Sequence, residues 1–272
     1  MRLTVLDGEE PQILRVDEPR IDSSVAIQFK DAVRAAVSPQ ASRVVLDLGA
    51  VEFIDSSGLG AIVAAMKGMG EGQRLDLAVL TPMVDRVFRL TRMDTIFLSM
   101  RRWRRHAAAQ DTDARIRGGA MPQQEVSRSD RIFTLDLRSA PEEVRAALGL
   151  ASGWLLARDL PPQVRGTVEL VLAEVLNNVV EHAYGGLSRG TIHLEILPRE
   201  GRIDLAIRDT GSAMPGGRPP PGDRVDLDVP EADLPEGGFG WFLIRHLAER
   251  VRYRREAGAN VLEIRIPLPP SA

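Results

Sequence analysis

The chain reads as an α/β protein of two domains, and three observations predict this. Short strand-like runs alternate with helix-periodic runs along most of its length. Composition breaks once, at about residues 101–130, into a basic clump followed by a polar stretch rich in small residues. The length, 272 residues, is more than one ordinary domain needs, and 44% hydrophobic with 27% charged residues is the make-up of a globular chain.

Charge and composition exclude several function classes. A net charge of −3 gives no global attraction to nucleic acid or to an anionic membrane. No apolar run approaches the ~20 residues that a bilayer-spanning helix needs. No cysteine is present, which excludes a disulfide framework, a thiolate nucleophile and a Cys-ligated metal. The first residues turn acidic without an apolar leader segment, so a cytoplasmic setting is expected.

In the first half, Leu3–Leu6 and Ile13–Val16 are strand-like, and Asp22 or Ser23 is placed to cap a helix running to about Val37. Arg43–Leu48 is a buried-strand run. Asp55-Ser56-Ser57-Gly58-Leu59-Gly60 then opens a helix to about Met69. Leu75–Leu80 is a further strand, and Pro82 suits the first turn of a helix to about Leu90. The break starts with Arg101-Arg102-Trp103-Arg104-Arg105-His106, which fits a solvated helix face, and 107–129 reads as a flexible linker.

In the second half, Arg131–Leu137 alternates as a strand, Pro141 starts a helix, and another helix follows Pro161-Pro162. Strands are expected over Thr191–Leu197, Arg202–Arg208, Arg250–Arg254 and Val261–Ile266, the last two joined by the turn Gly258-Ala259-Asn260. The arginines at 250, 252, 254 and 255 fit the exposed face of an edge strand.

Five places carry chemistry. On the helix through residues 170–183, Glu174 and Asn178 are four residues apart and share a face, with Glu181 and His182 one turn on. An amide oxygen suits Mg²⁺ and a carboxylate can take a hydroxyl proton; the same stripe also fits a solvated helix face. Asp209-Thr210-Gly211 follows a strand, where a carboxylate can accept from an exocyclic amine, or where the chain simply turns. A long Gly-, Pro- and Asp-rich stretch, 212–236, has the character of a lid or loop. Gly237-Gly238-Phe239-Gly240 precedes a helix at Trp241–Glu249, a place where backbone N–H groups face anions. In the first half, Asp55 and the serines after it fit an ordinary helix cap; a phosphate there would also sit on a helix N-terminus.

The order Glu-x-x-x-Asn helix, Asp-x-Gly, lid, Gly-Gly-x-Gly resembles the ATP-binding domain shared by gyrase, histidine kinases and MutL. Within it the chain looks most like the bacterial anti-sigma-factor serine kinases, above all over 237–246 and 250–262. Residues 1–106 resemble a STAS domain, the fold of anti-sigma-factor antagonists, through the Asp55-Ser56-Ser57-Gly58-Leu59-Gly60 loop. The resemblance implies a STAS-type small mixed sheet with helices over 1–106 and a Bergerat-type α/β sandwich, a mixed sheet with helices on one face, over 130–272. It implies that Glu174 is the general base, Asn178 holds Mg²⁺, and Asp209 binds the adenine amine with Gly211 beneath the ring. Gly238 and Gly240 would face the phosphates of ATP. Ser57 is the first choice of phospho-acceptor and Ser56 the alternative. His182 matches a structural or lid-proximal position, and no histidine-bearing dimerisation helix of a histidine kinase is present. Ala213 stands where many relatives carry a second glycine.

The function so implied is partner switching: an ATP-dependent serine/threonine kinase joined to the kind of STAS domain it acts on. It would control a sigma factor or similar regulator, with its own or a separate STAS protein as partner and a homodimer as the assembly. The alternative is a nucleotide-gated binding switch without significant turnover. No direct nucleic-acid or membrane partner is expected.

Overall fold

A computed structural model describes residues 1–6, 11–97 and 131–269, together with the backbone of 127–129. The basic clump at 101–106 and most of the expected linker lie outside the described residues.

The first domain runs β1 (Leu3–Leu6), β2 (Gln12–Val16), β3 (Arg20–Ile21), α1 (Ala26–Ala36), β4 (Arg43–Asp47), β5 (Phe53–Ile54), α2 (Ser56–Lys67), β6 (Arg74–Ala78) and α3 (Pro82–Leu90). Its main sheet has the order β1-β2-β4-β6. β1 and β2 pair antiparallel, whereas β2–β4 and β4–β6 are parallel, so the sheet is mixed. β3 and β5 form a separate parallel pair. Leu14, Val44, Leu46, Leu75 and Leu77 from the sheet are buried with Phe29 and Val33 of α1, Leu59 and Ile62 of α2, and Val87 and Phe88 of α3.

Two helix starts show local causes. The Asp55 carboxylate caps α2, accepting from the Gly58 N–H at 2.9 Å. A Cβ on Gly58 would collide with the Ile21 carbonyl oxygen, so the turn from β5 into α2 needs glycine there. The helix predicted to be capped by Asp22 or Ser23 instead begins at Ala26, with no side-chain cap. Asp22 organises the preceding turn through Ser24 and also accepts from Arg20 and from Arg145 of the second domain.

The second domain runs β7 (Ser127–Ser129), β8 (Ile132–Arg138), α4 (Pro141–Leu156), α5 (Pro162–Asn178), β9 (Thr191–Arg199), β10 (Arg202–Asp209), α6 (Phe239–Leu247), β11 (Arg250–Glu256) and β12 (Ala259–Pro267). The last three residues of the expected linker form β7, an edge strand on β8. The sheet order is β11-β12-β10-β9-β8-β7. Every pairing in it is antiparallel, which corrects the mixed sheet expected for this half. The physical reason is visible in β10: Ile203, Leu205 and Ile207 are buried while Asp204 and Arg208 point away. Such alternation belongs to a sheet with one solvated face.

α4 and α6 flank α5. α5 is buried on nearly all sides, with an unbroken buried run from Leu170 to Leu176, and is not the one-sided amphipathic helix that its periodicity suggests. Its second covered side is the first domain, and the buried apolar residues of both halves form one continuous cluster. α5 passes into a wider π turn at Val179–Ala183.

Candidate functional site

The site forms where α2 of the first domain abuts the end of α5. Glu174 is buried at 1% exposure. Its carboxylate accepts from both groups of one serine: the Ser56 N–H at 2.7 Å and the Ser56 hydroxyl at 2.5 Å. No such bond reaches Glu174 from Ser57. The two residues come from opposite halves of the chain, and neither motif alone predicts their contact.

Further polar contacts join the two domains. Asp55 accepts from Asn177 Nδ2 at 3.0 Å, and Asn177 Oδ1 accepts from the Ser23 hydroxyl at 2.9 Å. Arg145 grips Asp22 with two bonds, 3.0 and 2.7 Å, and Arg20 meets Glu169 at 2.5 Å while lying over the Phe53 ring. Arg86 donates to the Thr167 hydroxyl at 2.8 Å.

Burial pushes Glu174 up to about 8, and the neighbouring Asp55 charge adds to it, against the two bonds from Ser56. Burial likewise raises Asp55 to about 6, and the neighbouring Asp22 charge adds to it, against the bonds from Gly58, Ser23 and Asn177. Asp22 goes the other way: burial opposes its charge, but Arg145, Ser24 and Arg20 outweigh burial and hold it below the usual carboxylate value. A buried carboxyl with an affinity for protons near neutrality, bonded to a hydroxyl, is suited to take that hydroxyl's proton.

Beside Glu174 opens a cavity of about 630 Å³, large enough for a nucleotide. Val175, Val179, Ala183, Met214 and Leu262 give it apolar walls, with Asn178, His182 and Asp209 among its polar groups. Asn178 Nδ2 turns back to the Glu174 carbonyl at 2.5 Å. Among the described residues its Oδ1 has no hydrogen bond, so a hard cation fits that oxygen.

Asp209, at the end of β10, is 5% exposed. Its Oδ1 accepts from the Gly211 N–H and from Asn260 Nδ2, both at 2.8 Å, and Oδ2 has no partner among the described residues. Burial raises its affinity for protons, opposed by Asn260, Gly211 and Arg255. Asn260 in turn accepts from the Tyr253 hydroxyl at 2.7 Å and from Arg255. Asn260, Tyr253 and Trp241 line the cavity, and the motif reading missed all three. The only signal for Asn260 was its place in the Gly258-Ala259-Asn260 turn.

The glycines divide by cause. A Cβ on Gly211 would crowd the Ala183 carbonyl oxygen at 2.7 Å, so its smallness serves the close approach to the end of α5. Gly238 has φ +89° at the entry to α6, a left-handed conformation that favours glycine. A Cβ on Gly240 would point at Glu174 Oε2 at 2.7 Å, with Asn178 and the Ser56 hydroxyl at 3.5 Å. Gly240 thus keeps open the space between the base, the amide and the serine.

Comparison with known proteins agrees with this two-part architecture. A family model described as histidine kinase-like ATPase domain matches residues 137–266, and one described as Mlab, STAS domain matches residues 9–100. The chain is 31% identical to the serine/threonine-protein kinase BtrW of Bordetella bronchiseptica over 139 residues, 50% of this chain and 94% of BtrW. It is 34% identical to the serine-protein kinase RsbW of Halalkalibacterium halodurans over 93 residues, 34% of this chain and 56% of that protein, a little over half its length. Among solved structures, an anti-sigma factor antagonist from Mycobacterium paratuberculosis aligns at 28% identity and a TM-score of 0.32, covering 35% of this chain and 81% of that one. The chain belongs to the BtrW and RsbW family of histidine kinase-like ATPase domains, joined here to a STAS domain that precedes it.

Proposed function

We propose that the chain is an ATP-dependent serine kinase that phosphorylates its own STAS domain, with Ser56 as the acceptor, and thereby switches partners. The observation that carries this is the hydrogen bond from the Ser56 hydroxyl to Glu174 Oε2. It favours Ser56 over Ser57 as the acceptor, because the Ser56 hydroxyl is the one bonded to the buried carboxylate.

In the reaction Ser56 Oγ forms a bond to the γ-phosphorus of ATP as the bond from that phosphorus to the bridging oxygen breaks. ADP leaves, and the hydroxyl proton passes to ionised Glu174. Asp209 Oδ2, with Asn260 fixing Oδ1, accepts from the adenine amine. Gly238 and Gly240 give the phosphates room beside the start of α6. Asn178 Oδ1 would hold Mg²⁺, which neutralises phosphate charge when bound. The 212–236 segment then covers the nucleotide, and Ser56 and Glu174 are already desolvated together.

Phosphate on Ser56 would place roughly two negative charges against Glu174 and Asp55, so the product is expelled from the contact. The exposed site is then free for a separate STAS protein or a regulator such as a sigma factor. A homodimer and a cytoplasmic setting belong to the same reading; among the described residues no helix is long and apolar enough to cross a membrane.

A second reading, a binding switch without turnover, is favoured by the bonds that hold the domains together without involving Ser56, namely Arg145–Asp22, Arg20–Glu169 and Asn177–Asp55. Glu174→Gln separates the two. Under the kinase reading the variant binds ATP but gains no phosphate, and partner release stops. Partner release that survives Glu174→Gln selects the binding switch.

A further inference from the structure

We infer that Gly60 and Lys67 form a lid-recognition site on the STAS domain, which determines the STAS domain that this ATPase domain accepts. The inference rests on the proposed docking of Ser56 at Glu174 and names what else the docked domain must carry.

Gly60 lies four residues after Ser56, on the same face of α2, and Lys67 follows seven residues later on that face. A Cβ on Gly60 would collide with the Glu236 carbonyl oxygen, and the nearest atoms around that position all belong to Glu236. Gly58 is the contrast: its missing Cβ makes room for the Ile21 carbonyl within the same domain. The two glycines of one motif thus have different causes, one internal to the fold and one facing the lid. Lys67 extends the contact, with Nζ 3.1 Å from the Leu234 carbonyl and 3.0 Å from Glu236 Oε1.

The lid segment held here is anchored at both ends. Leu234 is buried at 3% exposure, and Glu236 leads through Gly237 and Gly238 into α6, where Gly240 faces Glu174. The docked STAS domain therefore touches the catalytic carboxylate with Ser56 and the end of the lid with Gly60 and Lys67. Lid position and STAS docking are linked, and the linkage is reciprocal: what fixes one favours the other. The recognised chemistry is a glycine one turn after the acceptor serine and a cation two turns further on. A STAS domain with a side chain at the glycine position is refused by steric overlap with main-chain atoms. The Lys67–Glu236 pair is half in solvent and adds a smaller preference.

The test uses the full chain, which has no cysteine, with Lys30→Cys and Glu200→Cys as labelling sites for energy transfer between the domains. Docking is read in the absence of nucleotide, and Ser56 phosphate is read separately by intact mass after Mg·ATP. Gly60→Ala is expected to lower the docking equilibrium about tenfold or more, an overpacking effect, with the melting of the STAS domain unchanged. Lys67→Glu is expected to lower it about two- to fivefold, and Lys67→Glu with Glu236→Lys to regain part of that loss. Gly60→Ala that docks like the parent overturns the inference, as does a parent chain with no docked state. If Gly60→Ala also lowers STAS melting, the charge exchange decides: recovery supports the site and no recovery overturns it. Docking that responds as expected in a parent that never gains phosphate leaves the lid site standing and removes the kinase reading instead.

Discussion

Ser56 and Glu174 hold the account together at the scale of single residues. The bond between them gives Glu174→Gln a specific expectation: ATP binding within about threefold of the parent and phosphate transfer lowered at least about a hundredfold, the range for losing a general base. Equilibrium binding of a fluorescent nucleotide and intact mass check the two halves separately. Asn260 carries a second expectation. It fixes Asp209 with one 2.8 Å bond and is itself held by Tyr253 and Arg255. Asn260→Ala leaves the buried Asp209 carboxylate short of a donor, so ATP should bind about tenfold more weakly, the effect of about 1.4 kcal/mol. Titration calorimetry with ATP reads this, and unchanged affinity would remove Asn260 from the adenine site. Glu174 and Asn178 were legible as a pair because their four-residue spacing puts both on one helix face, and Asp209 through the order of motifs that carries the resemblance. Asn260, Tyr253 and Trp241 were not, because they meet the cavity through tertiary packing that no local spacing records.

Among the elements, α5 carries most of the consequence. Its sequence shows apolar periodicity, and that signal finds the helix. Periodicity does not show that the polar residues between the apolar ones are covered too: Glu169, Thr167, Asn177 and Glu174 all bond to the STAS domain. A second domain had to be placed before that face could be read. β3 and β5, two residues each, are too short for a period to appear. The antiparallel pairing of the second sheet was legible in the alternation of β10, a pattern that parallel strands buried on both faces do not show. One prediction belongs to the α4 contact. Arg145→Ala leaves Asp22 buried with Arg20 and Ser24 as its remaining partners. The docked arrangement should lose about 2 kcal/mol, less than for a fully isolated buried charge because those partners persist. Interdomain energy transfer measures the change, and a loss near zero would show that the pair contributes nothing to docking.

The whole molecule joins two halves whose separate resemblances were plain in the sequence, while their docking was not. Docking has a pH signature. Glu174 is raised to about 8 and Asp55 to about 6 in the docked state, so that state binds protons more tightly than an open one in which both carboxyls are solvated. The stability from this source is complete below the ordinary carboxylate values and is lost as pH rises through about 6 and then about 8. Interdomain energy transfer should therefore fall between those limits, and Glu174→Gln should remove the upper part of the fall. Phosphate transfer runs against it, because the base must be ionised, so the rate should climb with pH toward about 8 while the domains remain engaged. Under the proposed kinase reading acceptor and base belong to one docked chain, so the transfer should be intramolecular, with a rate constant independent of protein concentration.

The most direct measurement is intact-mass spectrometry of the purified chain with Mg·ATP over a range of protein concentrations, followed by peptide mapping, with Ser56→Ala, Ser57→Ala and Glu174→Gln beside it. One phosphate is expected on Ser56, gained at a concentration-independent rate, kept in Ser57→Ala and lost in the other two variants. Phosphate on Ser57, or a chain that binds ATP and gains no phosphate at all, would contradict this expectation.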